Sequence, residues 1–152
     1  MSSHKIIFIC TGNTCRSPMA AAMAADIFTK AGLTADVLSA GVNAWANQPA
    51  SRHALSVMEE CGLSLAAHQA CLISDNLIQD ATLILSMTGT HRAILLSDYP
   101  KAKSKIYTLC EYAGQGKDIS DPFGGSLEEY RTCAHEIRAL LIKITDKLKE
   151  SQ

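Results

Sequence analysis

One nonapeptide constrains this chain more than any other stretch: Cys10-Thr11-Gly12-Asn13-Thr14-Cys15-Arg16-Ser17-Pro18. It follows the apolar run Ile6, Ile7, Phe8, Ile9, which reads as a buried parallel strand. Beyond it, Met19 to Thr29 is rich in Ala and Met and lacks Gly and Pro. That composition predicts a helix, with Pro18 at its first position, where a missing N–H removes nothing. The nonapeptide is thus expected to leave the C-terminal end of a strand and enter a helix N-terminus. Free backbone N–H groups and the helix dipole favour an anion at such a place.

The side chains are more specific than an anion site. The spacing from Cys10 to Arg16 lets one loop curl around a tetrahedral oxyanion, with the amides of Thr11 to Arg16 turned inward. Gly12 and Asn13 are the residue types that most readily take positive φ, which such a curl needs. Arg16 offers a planar fork of donors to two phosphate oxygens. Cys10 lies in the centre of that positive field, which favours the thiolate, and the Ser17 hydroxyl can hydrogen-bond to the sulfur. Cysteine and arginine also meet at this spacing by chance, as a small buried hydrophobe and a surface cation. The strand before, the Gly-Asn pair inside and the Ser-Pro-helix after favour a thiolate at the bottom of a phosphate cup.

A second stretch, Glu111 to Ser126, is Gly-rich and reads as a mobile active-site loop. It contains Asp121-Pro122. When a thiolate displaces a group from phosphorus, the departing atom needs a proton, and an Asp on a loop at the same sheet edge can supply it. Asp-Pro on its own is a common turn signal. Ser126 and Glu129 form a capping box for a last helix, whose apolar residues Leu127, Tyr130, Ala134, Ile137, Leu141, Ile144 and Leu148 step by three and four.

The rest fills in around these motifs. Further strands are expected at Ala35 to Ala40, Ala81 to Met87 and Lys105 to Leu109. Helices are expected at Ala50 to Cys61, closed by Gly62, and at Thr88 to Ser97, with Pro100 as a stop. Leu63 to Ile73 reads as a connector touching the sheet, and Asn76 to Gln79 as a turn capped by Ser74-Asp75. Alternating strands and helices give an α/β chain: a single domain over residues 1–152, with a four-stranded parallel sheet flanked by helices on both faces. Ligands then bind at the C-terminal ends of the strands.

From the first strand to the last helix the chain resembles the low-molecular-weight protein tyrosine phosphatase family. That family's nucleophile loop reads Cys-x-Gly-Asn-x-Cys-Arg-Ser-Pro, and its general acid is the Asp of an Asp-Pro pair. The resemblance implies a Rossmann-like phosphatase fold and a metal-independent cysteine phosphatase with no cofactor. Cys10 would be the nucleophile, Arg16 and the loop from Thr11 to Ser17 the phosphate clamp, and Asp121 first acid, then base. It implies that Cys15 traps oxidised Cys10 as a reversible disulfide, against the alternative that Cys15 packs beneath the loop. It also implies that an aromatic from the loop at 42–49, here Trp45, walls the substrate cleft; half-buried packing is the alternative.

Two positions depart from the tyrosine phosphatases of the family. Thr14 stands where they carry a bulky aliphatic residue, and Phe123-Gly124-Gly125 where they often place paired aromatics. Both departures match the bacterial protein-arginine-phosphatase branch, with its Cys-Thr-Gly-Asn-Thr-Cys-Arg-Ser-Pro and Asp-Pro-Phe-Gly-Gly-Ser. A threonine in the cup wall is smaller and can hydrogen-bond a planar guanidinium, which Asp121 can also pair with. The expected substrate is phosphoarginine on proteins, with phosphotyrosine the alternative and a protein-arginine kinase as functional counterpart. Arsenate reduction on this fold needs two further cysteines near the third strand, and Ala81 to His91 contains none. A non-catalytic phosphopeptide-binding module would not need both Cys10 and Asp121.

Composition narrows the partners. A net charge of −1 gives no basic field for nucleic acid. No apolar stretch reaches ~18 residues and the N-terminus has no signal-peptide core, so no membrane partner and a cytoplasmic location are expected. The cysteines are too scattered for a zinc motif, and Cys61, Cys71, Cys110 and Cys133 read as buried free thiols. The histidines follow no spacing and read as surface or core-edge residues. Asn13 reads as a brace for the loop, and Tyr112 and Tyr130 as packing residues.

Overall fold

A computed structural model describes residues 4–151. The first strand, β1 (His4–Cys10), is central: it pairs in parallel with β2 (Ala35–Gly41) on one side and β3 (Leu83–Ser86) on the other, and β3 pairs in parallel with β4 (Ile106–Thr108). The order β2-β1-β3-β4 reverses direction between β1 and β3. A crevice opens at such a reversal, outside the carboxyl ends of the strands. Cys10 is the last residue of β1, so its place beside that crevice follows from topology.

Both faces of the sheet are covered, which is why β1 is apolar throughout rather than alternating with polar residues. Ile6, Phe8 and Cys10 point to the core shared with α1 (Arg16–Lys30), α2 (Arg52–Glu60) and α6 (Leu127–Glu150). Ile7 and Ile9 point the other way, to Ile84 and Ile106 of the sheet, Ile78 of α3 (Asp75–Asp80) and Leu95 of α4 (Gly89–Asp98). The architecture is the expected α/β one. Among the described residues no helix is long and apolar enough to cross a membrane.

The differences are local. Helix α1 starts at Arg16, so Pro18 is its third residue rather than its first. The first N–H beyond the proline, that of Met19, bonds Cys15 O at 3.2 Å; the earlier ones need no helical acceptor, and proline is tolerated throughout that turn. The turn at Asn76 is a short helix, α3, capped by Ser74 as expected. Pro100 does not merely stop α4 but opens a 3₁₀ segment, Pro100–Lys105. Leu109, expected to end β4, instead opens a helix, α5 (Leu109–Ala113), fixed by a Thr108/Glu111 capping box and by Gly114 at φ 77°. The last helix is as expected, with Ser126 and Glu129 in a capping box. The connector touches the sheet through a parallel bridge from Leu72 to Gly41.

Candidate active site

The loop between β1 and α1 is braced from within by Asn13, which takes φ 58° and is fully buried. Its Nδ2 donates to Ser17 Oγ at 2.8 Å and Ser39 Oγ at 2.9 Å, and its Oδ1 accepts the Cys71 amide at 2.9 Å. Asn is one of the few residues that takes this backbone conformation cheaply, and here its side chain also replaces the hydrogen bonds the curl removes. The next strand must come close for this to work. A Cβ on Gly41 would collide with the backbone oxygen of Thr11, and that oxygen accepts the Asn43 amide at 2.9 Å. No side chain caps the start of α1, and its first turn carries no acidic residue. The positive helix terminus is left facing the loop.

Ser17 Oγ lies 2.9 Å from Cys10 Sγ. Asn13 Nδ2 donates to that oxygen, so the Ser17 hydroxyl hydrogen is left to the sulfur or to the Ala40 carbonyl, the latter farther off at 3.5 Å. The arrangement suits a sulfur that carries negative charge. Arg16 is 5% exposed, with Nη1 donating to Ile119 O at 2.9 Å and Nη2 3.6 Å from Asp121 Oδ2. The guanidinium therefore links the Cys10 loop to the loop carrying Asp121. That second loop is anchored rather than loose: Ile119 is buried, its N–H donates to Met87 O at 3.0 Å, and Asp118 Oδ2 accepts the Gly89 amide at 3.0 Å. Asp121 turns its own carboxylate, with Oδ1 accepting the Phe123 amide at 3.1 Å.

These groups converge on one cleft of about 260 Å³, lined by Cys10, Thr11, Gly12, Thr14, Cys15, Arg16, Gln48, Asp121 and Phe123. It combines a sulfur, a buried guanidinium, a helix N-terminus and a carboxylate, which together can bind an oxyanion, attack its central atom and move a proton. Three expected site residues do not line the cleft: Asn13 and Ser17 are fully buried beneath the loop, and Trp45 is 73% exposed. Gln48, from the same loop as Trp45, does. Cys15 is buried, with Sγ 3.2 Å from Tyr130 Oη and 3.4 Å from Ser51 Oγ, so Tyr130 braces the loop as well as packing. Of the four cysteines read as buried thiols only Cys133 is buried; Cys61 is exposed, and Cys71 and Cys110 are half-buried at element edges.

Two histidines that spacing left unassigned support the loop. His68 Nε2 contacts Asn13 O at 2.7 Å. His91, 4% exposed and so not at the surface, contacts Thr11 Oγ1 through Nε2 at 2.8 Å and Thr88 Oγ1 through Nδ1 at 3.1 Å. Burial first, and the Arg16 charge second, hold the His91 pKa down to about 4, while Asp121 and Asp118 pull it upward. The unfolded chain, with an ordinary imidazole, binds the proton that the folded one refuses. Stability is therefore lost as pH falls from about 6.5 to about 4, by roughly 3 kcal/mol from this group. Urea denaturation across that range should show a shallower pH slope in His91→Asn than in the parent; equal slopes would contradict the assignment.

The chain matches the low molecular weight phosphotyrosine protein phosphatase family over residues 5–152. It belongs to that family. It is 40% identical to a protein-arginine-phosphatase of Bacillus subtilis over 148 residues, covering 97% of this chain and 98% of the relative. The YwlE arginine phosphatase of Geobacillus stearothermophilus superposes with a TM-score of 0.92 at 41% identity, covering 98% of this chain and 95% of that one. A YwlE arginine phosphatase with the active-site cysteine replaced by serine, and that serine phosphorylated, superposes with a TM-score of 0.94 at 39% identity and 97% coverage of both chains.

Proposed function

We propose that this protein hydrolyses phosphoarginine on proteins through a phosphocysteine formed on Cys10. The reading is carried by one observation: sulfur, guanidinium and carboxylate face a single cleft whose wall at position 14 is a threonine rather than a large aliphatic residue. The arginine phosphatases among the relatives, one with phosphate on an active-site serine, support it. In the first step Cys10 Sγ forms a bond to phosphorus as the P–N bond breaks, and Asp121 protonates the departing guanidine nitrogen. Arg16 and the inward amides hold the three equatorial oxygens, where charge grows in the transition state. In the second step Asp121 takes a proton from water, which attacks phosphorus and releases inorganic phosphate and the Cys10 thiolate. The functional counterpart is a protein-arginine kinase acting on the same proteins, and the free cysteines support a reducing compartment, the cytosol.

Phosphotyrosine is the second reading, favoured by Phe123, which is exposed at the rim and able to stack on a phenyl ring. Rates on matched phosphoarginine and phosphotyrosine peptides test both. The parent enzyme should favour phosphoarginine in kcat/KM. Thr14→Ile should shift the ratio toward phosphotyrosine by roughly 10- to 100-fold, the size expected for trading a wall hydroxyl for apolar contact. A parent enzyme that prefers phosphotyrosine would overturn the substrate assignment and leave the phosphatase reading standing.

A further inference from the structure

We infer that His91 is a positioning residue that sets the direction of a hydrogen-bond chain, Thr88 to His91 to Thr11, whose free end is a Thr11 hydroxyl donating to a phosphoryl oxygen in the cleft. The inference rests on the phosphatase reading above and adds to it a donor that no backbone amide of the loop supplies.

The direction follows from counting protons along the chain. Thr88 caps α4, so its Oγ1 already accepts a backbone N–H, that of His91, at 3.2 Å. No other acceptor for its own hydroxyl hydrogen occurs among the described residues, which assigns that hydrogen to His91 Nδ1, 3.1 Å away. Nδ1 then carries no hydrogen. Burial and the neighbouring Arg16 charge keep the ring neutral above pH about 4, so its one hydrogen sits on Nε2. Nε2 lies 2.8 Å from Thr11 Oγ1 and donates to it. Thr11 Oγ1 has no other partner among the described residues, and Thr11 lines the cleft beside Cys10. Its hydrogen is left pointing away from the imidazole, free for a phosphoryl oxygen bound in the cleft. Every donor in the chain points the same way, toward the negative charge, and aligned hydrogen bonds of this kind polarise one another. The opposite tautomer would make Thr11 a donor to His91 and turn an oxygen lone pair toward the phosphoryl group.

Kinetics, phosphate inhibition and ¹⁵N NMR of the His91 ring test this together. Thr11→Val keeps the shape and the loop amide but removes the hydroxyl. It should lower kcat/KM by roughly 10- to 100-fold, toward the low end for one oxyanion donor, and weaken inhibition by inorganic phosphate; Thr11→Ser should restore most of both. His91→Leu should lower kcat in the parent but cost less than about twofold in the Thr11→Val background, because its effect runs through that hydroxyl. The ring nitrogens of the parent should report a hydrogen on Nε2 and none on Nδ1 at neutral pH. Wild-type kinetics in Thr11→Val, equal losses for His91→Leu in both backgrounds, or a hydrogen on Nδ1 would each overturn the inference. If the parent turned over no phosphorylated substrate at all, the proposed function would fail, and the ring tautomer together with inorganic phosphate binding to Thr11→Val would still decide this point.

Discussion

Cys10→Ser should lower kcat by about 10⁴-fold or more while leaving the fold intact, the largest catalytic loss any single substitution in this chain is expected to give. Serine keeps the shape of cysteine with a smaller terminal atom, and the Asn13 hydrogen bonds that shape the loop do not involve the side chain at position 10. What changes is the nucleophile. Sulfur is the better nucleophile and a thiol parts with its proton far more easily than a serine hydroxyl, which needs a general base. The neighbours of Cys10 offer none in that step: Ser17 presents a hydroxyl, and Asp121 must enter already protonated, as the acid for the departing nitrogen. Mass spectrometry of Cys10→Ser after incubation with a phosphoarginine protein should find one added phosphoryl group on residue 10. Turnover within tenfold of the parent would remove Cys10 from the mechanism.

Which parts of this site were legible in the sequence depended on how local the signal was. The Cys10-to-Pro18 loop, the Asp121-Pro122 pair and the Ser126/Glu129 cap are each written within a few residues, and each lies where the chain pattern puts it. The braces are not local. His91 meets Thr11 across 80 positions, and Tyr130 meets Cys15 across 115. No periodicity records such a pairing, so these side chains read as surface or packing residues until the fold brings them together. Gln48 and Trp45 differ in the same way. Both sit on the loop after β2; the family resemblance singles out an aromatic there and nothing in the sequence marks Gln48, but the turn of that loop sends Trp45 to solvent and Gln48 to the cleft. Helix α5 was missed for another reason: it is five residues long, too short to show a 3.6-residue repeat, and only its capping box and the glycine at its end mark it.

Arg16 tests whether the two loops act as one unit. Arg16→Ala should lower kcat by roughly 10³- to 10⁵-fold, the range seen when a transition-state arginine is removed from phosphoryl transfer, with a much smaller change in KM. The loss falls on kcat because the equatorial oxygens carry more charge toward the guanidinium in the transition state than in the bound substrate. Stability should fall as well. The buried Ile119 carbonyl loses its Arg16 donor, a cost of about 1–3 kcal/mol, and the loop carrying Asp121 loses its link to the Cys10 loop. Arg16→Lys separates the two contributions. A lysine keeps the charge but is a single point donor, unable to hold Ile119 O and face two phosphate oxygens together. It should recover part of the stability and little of the rate. Steady-state kinetics and thermal unfolding on the same preparations decide it. Arg16→Lys with near-parent kcat would mean that charge alone suffices, and that the tie to Ile119 has no part in catalysis.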